Sequence, residues 1–130
     1  MKLEHTAFNV ADPVAVAQWY RDHLGMTIVR RGDAPVHMHF LADDSGNTLL
    51  EIYCNPPDQV PNYREMDPLI FHLALVSDDP GNDRDRLRAA GAEEVEELHT
   101  DAGDHLIMMR DPWGHCLQLC RRARSMLRND

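Results

Sequence analysis

Residues 3–10 (LEHTAFNV) are apolar-rich and read as extended, and the spacing then changes to a helical one at Val16, Trp19, Tyr20 and Leu24. A period of two puts successive side chains on opposite faces of a strand, whereas recurrence every three or four positions marks one stripe of a helix. A strand followed by a helix is predicted. Asp12-Pro13 marks the helix start, because the Asp side chain accepts orphan amides and Pro at the first helical position loses no hydrogen bond. Gly25 ends it, since Gly adopts the left-handed cap without penalty. Strands are predicted at 26–31, 36–42 and 48–54, with breaks at Asp33-Ala34-Pro35 and Asp44-Ser45-Gly46-Asn47. The proline-rich stretch 55–68 has no periodicity and reads as a linker or a loop over a site.

The order then repeats. A strand over 69–77 leads to Asp79-Pro80, a helix through about Ala90 closed by Gly91, and strands at 93–98, 105–110 and 115–121. Five charges in 83–88 leave the second helix a thin apolar stripe centred on Leu87. Strand, helix and three strands, twice, give an α+β class built of two repeated units. The chain is expected to be a single domain: module one about 1–54, linker 55–68, module two about 69–121 and a tail at 122–130. Two four-stranded units that curl together shelter edges and sticky faces that either would expose alone.

The repeat also duplicates chemistry. His5 and His72 stand 67 positions apart, and so do Glu51 and Gln118. Ala7/Ala74, Asp12/Asp79, Pro13/Pro80, Asp44/Asp111 and Leu50/Leu117 match at the same offset. Alternation puts Leu50, Ile52, Leu117 and Leu119 under the helices and turns Glu51 and Gln118 to the opposite, concave face. Burying Glu51 without a partner is expensive. A divalent cation held by two imidazoles and a carboxylate supplies that partner, and the set suits Ni, Zn, Fe, Mn or Co. Read singly, each of these residues is an ordinary strand residue; the shared offset is what joins them. His37 and His39 alternate on the third strand and are candidates for the cup lining, against a role as surface or core histidines. Asn9, Tyr53 and Met109 are candidates for the substrate pocket, with core packing the competing role for Met109. Trp19 and Tyr20 read as core.

Composition narrows the partners. A net charge of −9 argues against a nucleic-acid role, which needs a basic footprint. Arg121, Arg122, Arg124 and Arg128 crowd the last ten positions and read as a solvated tail or a contact with a partner subunit. Three cysteines, Cys54, Cys116 and Cys120, with no signal-peptide pattern, suit reduced thiols in a cytoplasmic protein. No apolar run is long enough to cross a bilayer.

The strings LEHTAFNV, WYRDHLGM, LLEIY, FHLALVS and DPWGHCLQL resemble the vicinal oxygen chelate superfamily, which holds glyoxalase I, methylmalonyl-CoA epimerase, extradiol dioxygenases and bleomycin-resistance proteins. The resemblance covers residues 3–120 and is greatest to bacterial-type glyoxalase I. It implies two βαβββ modules forming a cup-shaped mixed sheet around one divalent metal ion per site, held by His5, Glu51, His72 and Gln118. It also implies a homodimer whose sites can be assembled from modules of two chains. Glu51, the one carboxylate of the four, is the implied catalytic base. Epimerase relatives carry His, Gln, His, Glu in chain order, and this chain has the same set exchanged between halves. Asn55 matches an asparagine that contacts glutathione in glyoxalase I, while Asn9 replaces an arginine that grips its carboxylate, a contact an amide cannot reproduce. The activity implied is that of a metal-dependent lyase, lactoylglutathione lyase-like, or epimerase acting on a small oxygenated substrate, with glutathione as a candidate cosubstrate. An extradiol-type Fe(II) dioxygenase and a non-catalytic small-molecule binding or resistance protein are the alternatives.

Overall fold

The computed structural model describes residues 1–127, in two compact units, Met1–Pro61 and the chain from Asn62 onward. Unit one holds β1 (His5–Asn9), α1 (Pro13–Leu24), β2 (Thr27–Arg31), β3 (His39–Ala42) and β4 (Leu49–Tyr53). Unit two holds β5 (Leu73–Val76), α2 (Pro80–Ala89), β6 (Glu93–His99), β7 (His105–Arg110) and β8 (Cys116–Arg121). Each unit forms a four-stranded mixed sheet, ordered β1-β4-β3-β2 and β5-β8-β7-β6. In both, the outer strand pairs in parallel with the last strand of its unit and the remaining pairs are antiparallel. Even the irregularities recur, with a register shift at Ile28/Arg30 in β2 and at Glu94/Glu96 in β6. The class is α+β, two βαβββ units.

The helix ends follow their local chemistry. Asp12 Oδ1 accepts the Ala15 amide at 3.0 Å, and Asp79 Oδ1 accepts the Asn82 amide at 3.1 Å, each followed by Pro in the first turn. Gly25 closes α1 at φ 69°, a left-handed conformation that a side chain would oppose. Val16, Ala17, Trp19 and Tyr20 are the buried stripe of α1 and pack with Leu41, Leu50 and Ile52 as the core of unit one. In unit two, Leu87 is the main apolar anchor of α2, fully buried with Ile107, Met109 and Leu117.

The turn between β7 and β8 is organised by a buried pair. Asp111 Oδ2 and His115 Nδ1 are 2.7 Å apart, while Asp111 Oδ1 accepts the amides of Trp113 and His115. Gly114 takes φ 94°, and a side chain there would run into Arg64, so this turn requires glycine. The Arg110 guanidinium donates to the carbonyls of Tyr63, Gly114 and Met66 and clasps the preceding segment onto the turn. At the other end of β8, Asp104 accepts from Arg122 and from the Ala123 amide, which fixes the start of the tail. Arg121 and Arg124 are exposed, and Arg128 lies outside the described residues.

Two expectations change. The third strand starts at His39, because the segment before it is a turn in which His37 adopts φ 48° and its amide donates to the Asp33 carbonyl. Polar-apolar alternation over VHMHFLA is compatible with a turn running into a short strand. The fifth strand likewise begins after His72, at Leu73. The segment before it carries Pro68 and a turn in which the Asp67 carboxylate accepts the Leu69 amide.

Because α2 rests mainly on one apolar side chain, Leu87→Ala is expected to cost about 2–5 kcal/mol. Asp79→Ala, which removes only the cap, should cost about 1 kcal/mol. Urea denaturation of the two variants checks the ranking.

Candidate functional site

Strand register decides which side chains share a face. On the β1–β4 pair Ala7 stands opposite Glu51, and on the β5–β8 pair Ala74 stands opposite Gln118. His5 and His72 each lie two residues before that alanine. Both units therefore present a histidine, a small residue and an oxygen-bearing side chain in the same order.

In unit one the two groups meet. His5 Nε2 is 3.3 Å from Glu51 Oε2, and His5 Nδ1 bonds the Glu4 carboxylate. A carboxylate only accepts, so the Nδ1 proton points at Glu4 and Nε2 is directed to Glu51. Phe40, opposite Glu51 on β3, sets its ring edge-on to His5 at 5.5 Å and 86°. The hydrogen bond to Glu4, with the negative charges of Glu4 and Glu51, raises the His5 pKa against the opposing effect of desolvation.

In unit two His72 Nδ1 donates to the Pro68 carbonyl at 2.8 Å, since a carbonyl can only accept. That tautomer leaves the Nε2 lone pair available. Gln118 lies opposite Met108 on β7, and its Oε1 takes a contact from the Cys120 thiol at 3.2 Å. Gln118 borders a cleft of about 410 Å³ lined by Leu69, Val95, Leu98, Leu106 and Met108 among others. Burial raises the thiol pKa of Cys116 and Cys120, which behave as small apolar groups.

The remaining candidates separate. Asn9 Nδ2 donates to the Pro56 carbonyl at 2.8 Å and its Oδ1 accepts the Asn55 amide at 2.7 Å, so its carboxamide holds the chain leaving β4. Tyr53 is half-buried at the end of β4 opposite Asn9, and Asn55 is exposed. His39 stands opposite Ile52, on the core side of the sheet, with Nδ1 donating to the His37 carbonyl; it is not on the face of Glu51. His37 is in the turn. Met109 is fully buried opposite Leu117, and Met108 takes the place expected for it beside Gln118. Alternation alone fixed the relative faces but not which of two adjacent methionines faced the core.

Sequence reasoning missed Glu4 and Phe40, and it missed a second cluster. Glu97 and His99 share one face of β6, and His105 lies directly across from His99. His105 Nε2 is 2.7 Å and His99 Nε2 3.5 Å from Glu97 Oε1. The bond from His105 holds the Glu97 carboxyl below the usual carboxylate range; nearby Arg84 adds to this and desolvation opposes it. The signal was an i, i+2 Glu-His pair on a strand followed by a hairpin that returns a third donor.

Residues 2–119 match the family model described as Glyoxalase/Bleomycin resistance protein/Dioxygenase superfamily. The chain belongs to this superfamily. Among solved structures of the same fold, the protein SMU.1112c is 26% identical, with a TM-score of 0.73 over 93% of this chain and 98% of that one. TnmS3, an antibiotic binding protein from Streptomyces sp. CB03234, is 19% identical with a TM-score of 0.73 over 95% and 97%. A glyoxalase I mutant from Zea mays is 23% identical with a TM-score of 0.71, over 95% of this chain and 46% of that one. Comparison with curated proteins returns no match. Among the described residues no helix is long and apolar enough to cross a membrane.

The raised His5 pKa has a defined sign. Its contribution to stability is fully present below the unfolded-state value and is lost as pH rises through the folded-state value. In metal-free protein, Glu4→Gln is expected to lower the His5 pKa towards the ordinary value, read from the imidazole resonances in a pH titration by NMR.

Proposed function

We propose that this superfamily member is a metal-dependent, glyoxalase-like lyase or isomerase that moves a proton on a small oxygenated substrate. His5, Glu51, His72 and Gln118 are the cation ligands and Glu51 is the base. The observation that carries this reading is the 3.3 Å between His5 Nε2 and Glu51 Oε2, with Nδ1 of the same ring tied to Glu4. A charge-assisted hydrogen bond closes to about 2.7–2.9 Å. Two donors each about 2.1 Å from one ion, at angles between a right angle and the tetrahedral, stand about 3.0–3.4 Å apart. The spacing suits a shared cation better than a direct bond. A metal-binding histidine normally gives its other N–H to a carboxylate or carbonyl, and His5 and His72 both do so.

A divalent cation bound there supplies Lewis acidity for negative charge developing on a substrate oxygen. Glu51 takes up the substrate proton on its carboxylate, held on the central strand of its sheet with Phe40 and His5 limiting its swing. On the Gln118 side, Met108, Leu98 and Leu106 give the cleft apolar walls, and its size is that of a small-molecule site. The Asn9 carboxamide is engaged by the Asn55 backbone amide and the Pro56 carbonyl, and as neutral amides neither Asn9 nor Asn55 offers a charged grip for the carboxylate of a glutathione cosubstrate. Binding without turnover is the second reading, favoured by those apolar walls. The chain is proposed to work as a homodimer in the cytoplasm.

Glu51→Gln is expected to lower α-proton exchange by about 10²–10⁴-fold while some metal remains bound. Exchange near the parental rate would remove Glu51 as base. Exchange is measured with and without glutathione, on a hemithioacetal and a thioester. His5→Ala and His72→Ala should each remove one equivalent of metal by elemental analysis, and unchanged occupancy in both would remove the ligand assignment.

A further inference from the structure

The β6–β7 hairpin carries a donor set that the proposed reaction does not use. Glu97 is paired with Ile107 and His99 with His105, whereas Glu96 is paired with Met108, the neighbour of Gln118. Glu97, His99 and His105 therefore lie on the opposite face of the second sheet from Gln118. This is the face that α2 covers, and Arg84 of α2 reaches Glu97. The cluster is physically separate from the cleft.

Its three donor atoms, one from each side chain, lie within 4.8 Å of one another. The imidazoles of His99 and His105 stack with centroids 4.2 Å apart and planes inclined by 17°, and both direct Nε2 to the same oxygen of Glu97. Two stacked rings converging on one carboxylate oxygen can share a single cation in place of their Nε2 protons. His105 is nearly buried and anchors the site. Its 2.7 Å hydrogen bond to Glu97 has to open by about half an ångström to admit an ion, and the largely exposed His99 is free to move in towards it. Arg84 donates to the other Glu97 oxygen at 3.1 Å and so fixes the carboxylate plane, leaving Oε1 for the ion.

We propose that Glu97, His99 and His105 form a second divalent transition-metal site, independent of the His5–Glu51 pair. A two-imidazole, one-carboxylate set with open positions selects borderline ions, zinc foremost, over magnesium or calcium, which take oxygen donors. The ion cross-links the two strands of the hairpin where residues 100–104 turn. An alternative role needs only the hydrogen bond from His105 to Glu97 and leaves His99 idle.

The test is equilibrium dialysis of metal-stripped full-length chain against zinc, in a His5→Ala background that silences the other pair. One equivalent of zinc is expected, with the imidazole resonances of His99 and His105 shifting together by NMR. Adding His99→Ala, an exposed position, should weaken zinc binding by about tenfold or more, and His105→Gln should do the same. Overturning results are no zinc uptake in the His5→Ala chain, or an affinity that His99→Ala leaves unchanged. Loss of zinc from the His5–Glu51 side alone bears on the proposed reaction and not on this site.

Discussion

A half-buried carboxylate faces an imidazole across a parallel strand pair, and much else in the molecule is arranged to hold that meeting. Glu51 sits on β4, the strand flanked on both sides in its sheet, so its backbone has little freedom. His5 is positioned by the β1–β4 register and oriented by Glu4 behind it. Taking a carboxylate partly out of water is costly unless a positive charge compensates. Protonated His5 answers that need, and so would the proposed cation, whose binding would compete with the proton on the ring and weaken as pH falls.

Duplication supplies the rest at little extra cost in design. The same capping Asp-Pro, the same strand order and the same bulge position recur, yet the two copies have diverged in how they are held. Unit one packs a full apolar stripe under α1, with Tyr20 and Val16 fully buried. Unit two relies on Leu87 and on polar fastening: Asp111 with His115, Arg110 across three carbonyls, and Arg84 bridging to Glu94 and Glu97. Surface ion pairs of this kind each contribute little, so they orient the flank of α2 while Leu87 remains its main anchor. The same arrangement sets Glu97 in its orientation.

The elements were legible because their signals are local. Asp12-Pro13, Gly25 and Asp79-Pro80 mark helix ends through their own backbone chemistry, and the 67-residue offset pairs His5 with His72 and Glu51 with Gln118 at equivalent positions of the two units. Superfamily membership was legible from strings spread over the whole chain. What failed depended on facts that alternation cannot carry. His37 and His39 were candidates for a cup lining or for surface or core positions, and a turn with φ 48° at His37 breaks the strand while His39 takes the core side. Met109 and Met108 differ only by which face the β7–β8 register assigns them. The Glu97–His99–His105 cluster needed the hairpin register, since two of its members are joined only across the strands.

The most direct measurement is anomalous diffraction from crystals of the metal-loaded protein, collected on both sides of the metal's absorption edge. The account predicts an anomalous peak about 2.0–2.2 Å from both His5 Nε2 and Glu51. A loaded crystal with no peak there, and His5 still facing Glu51 alone, would contradict it.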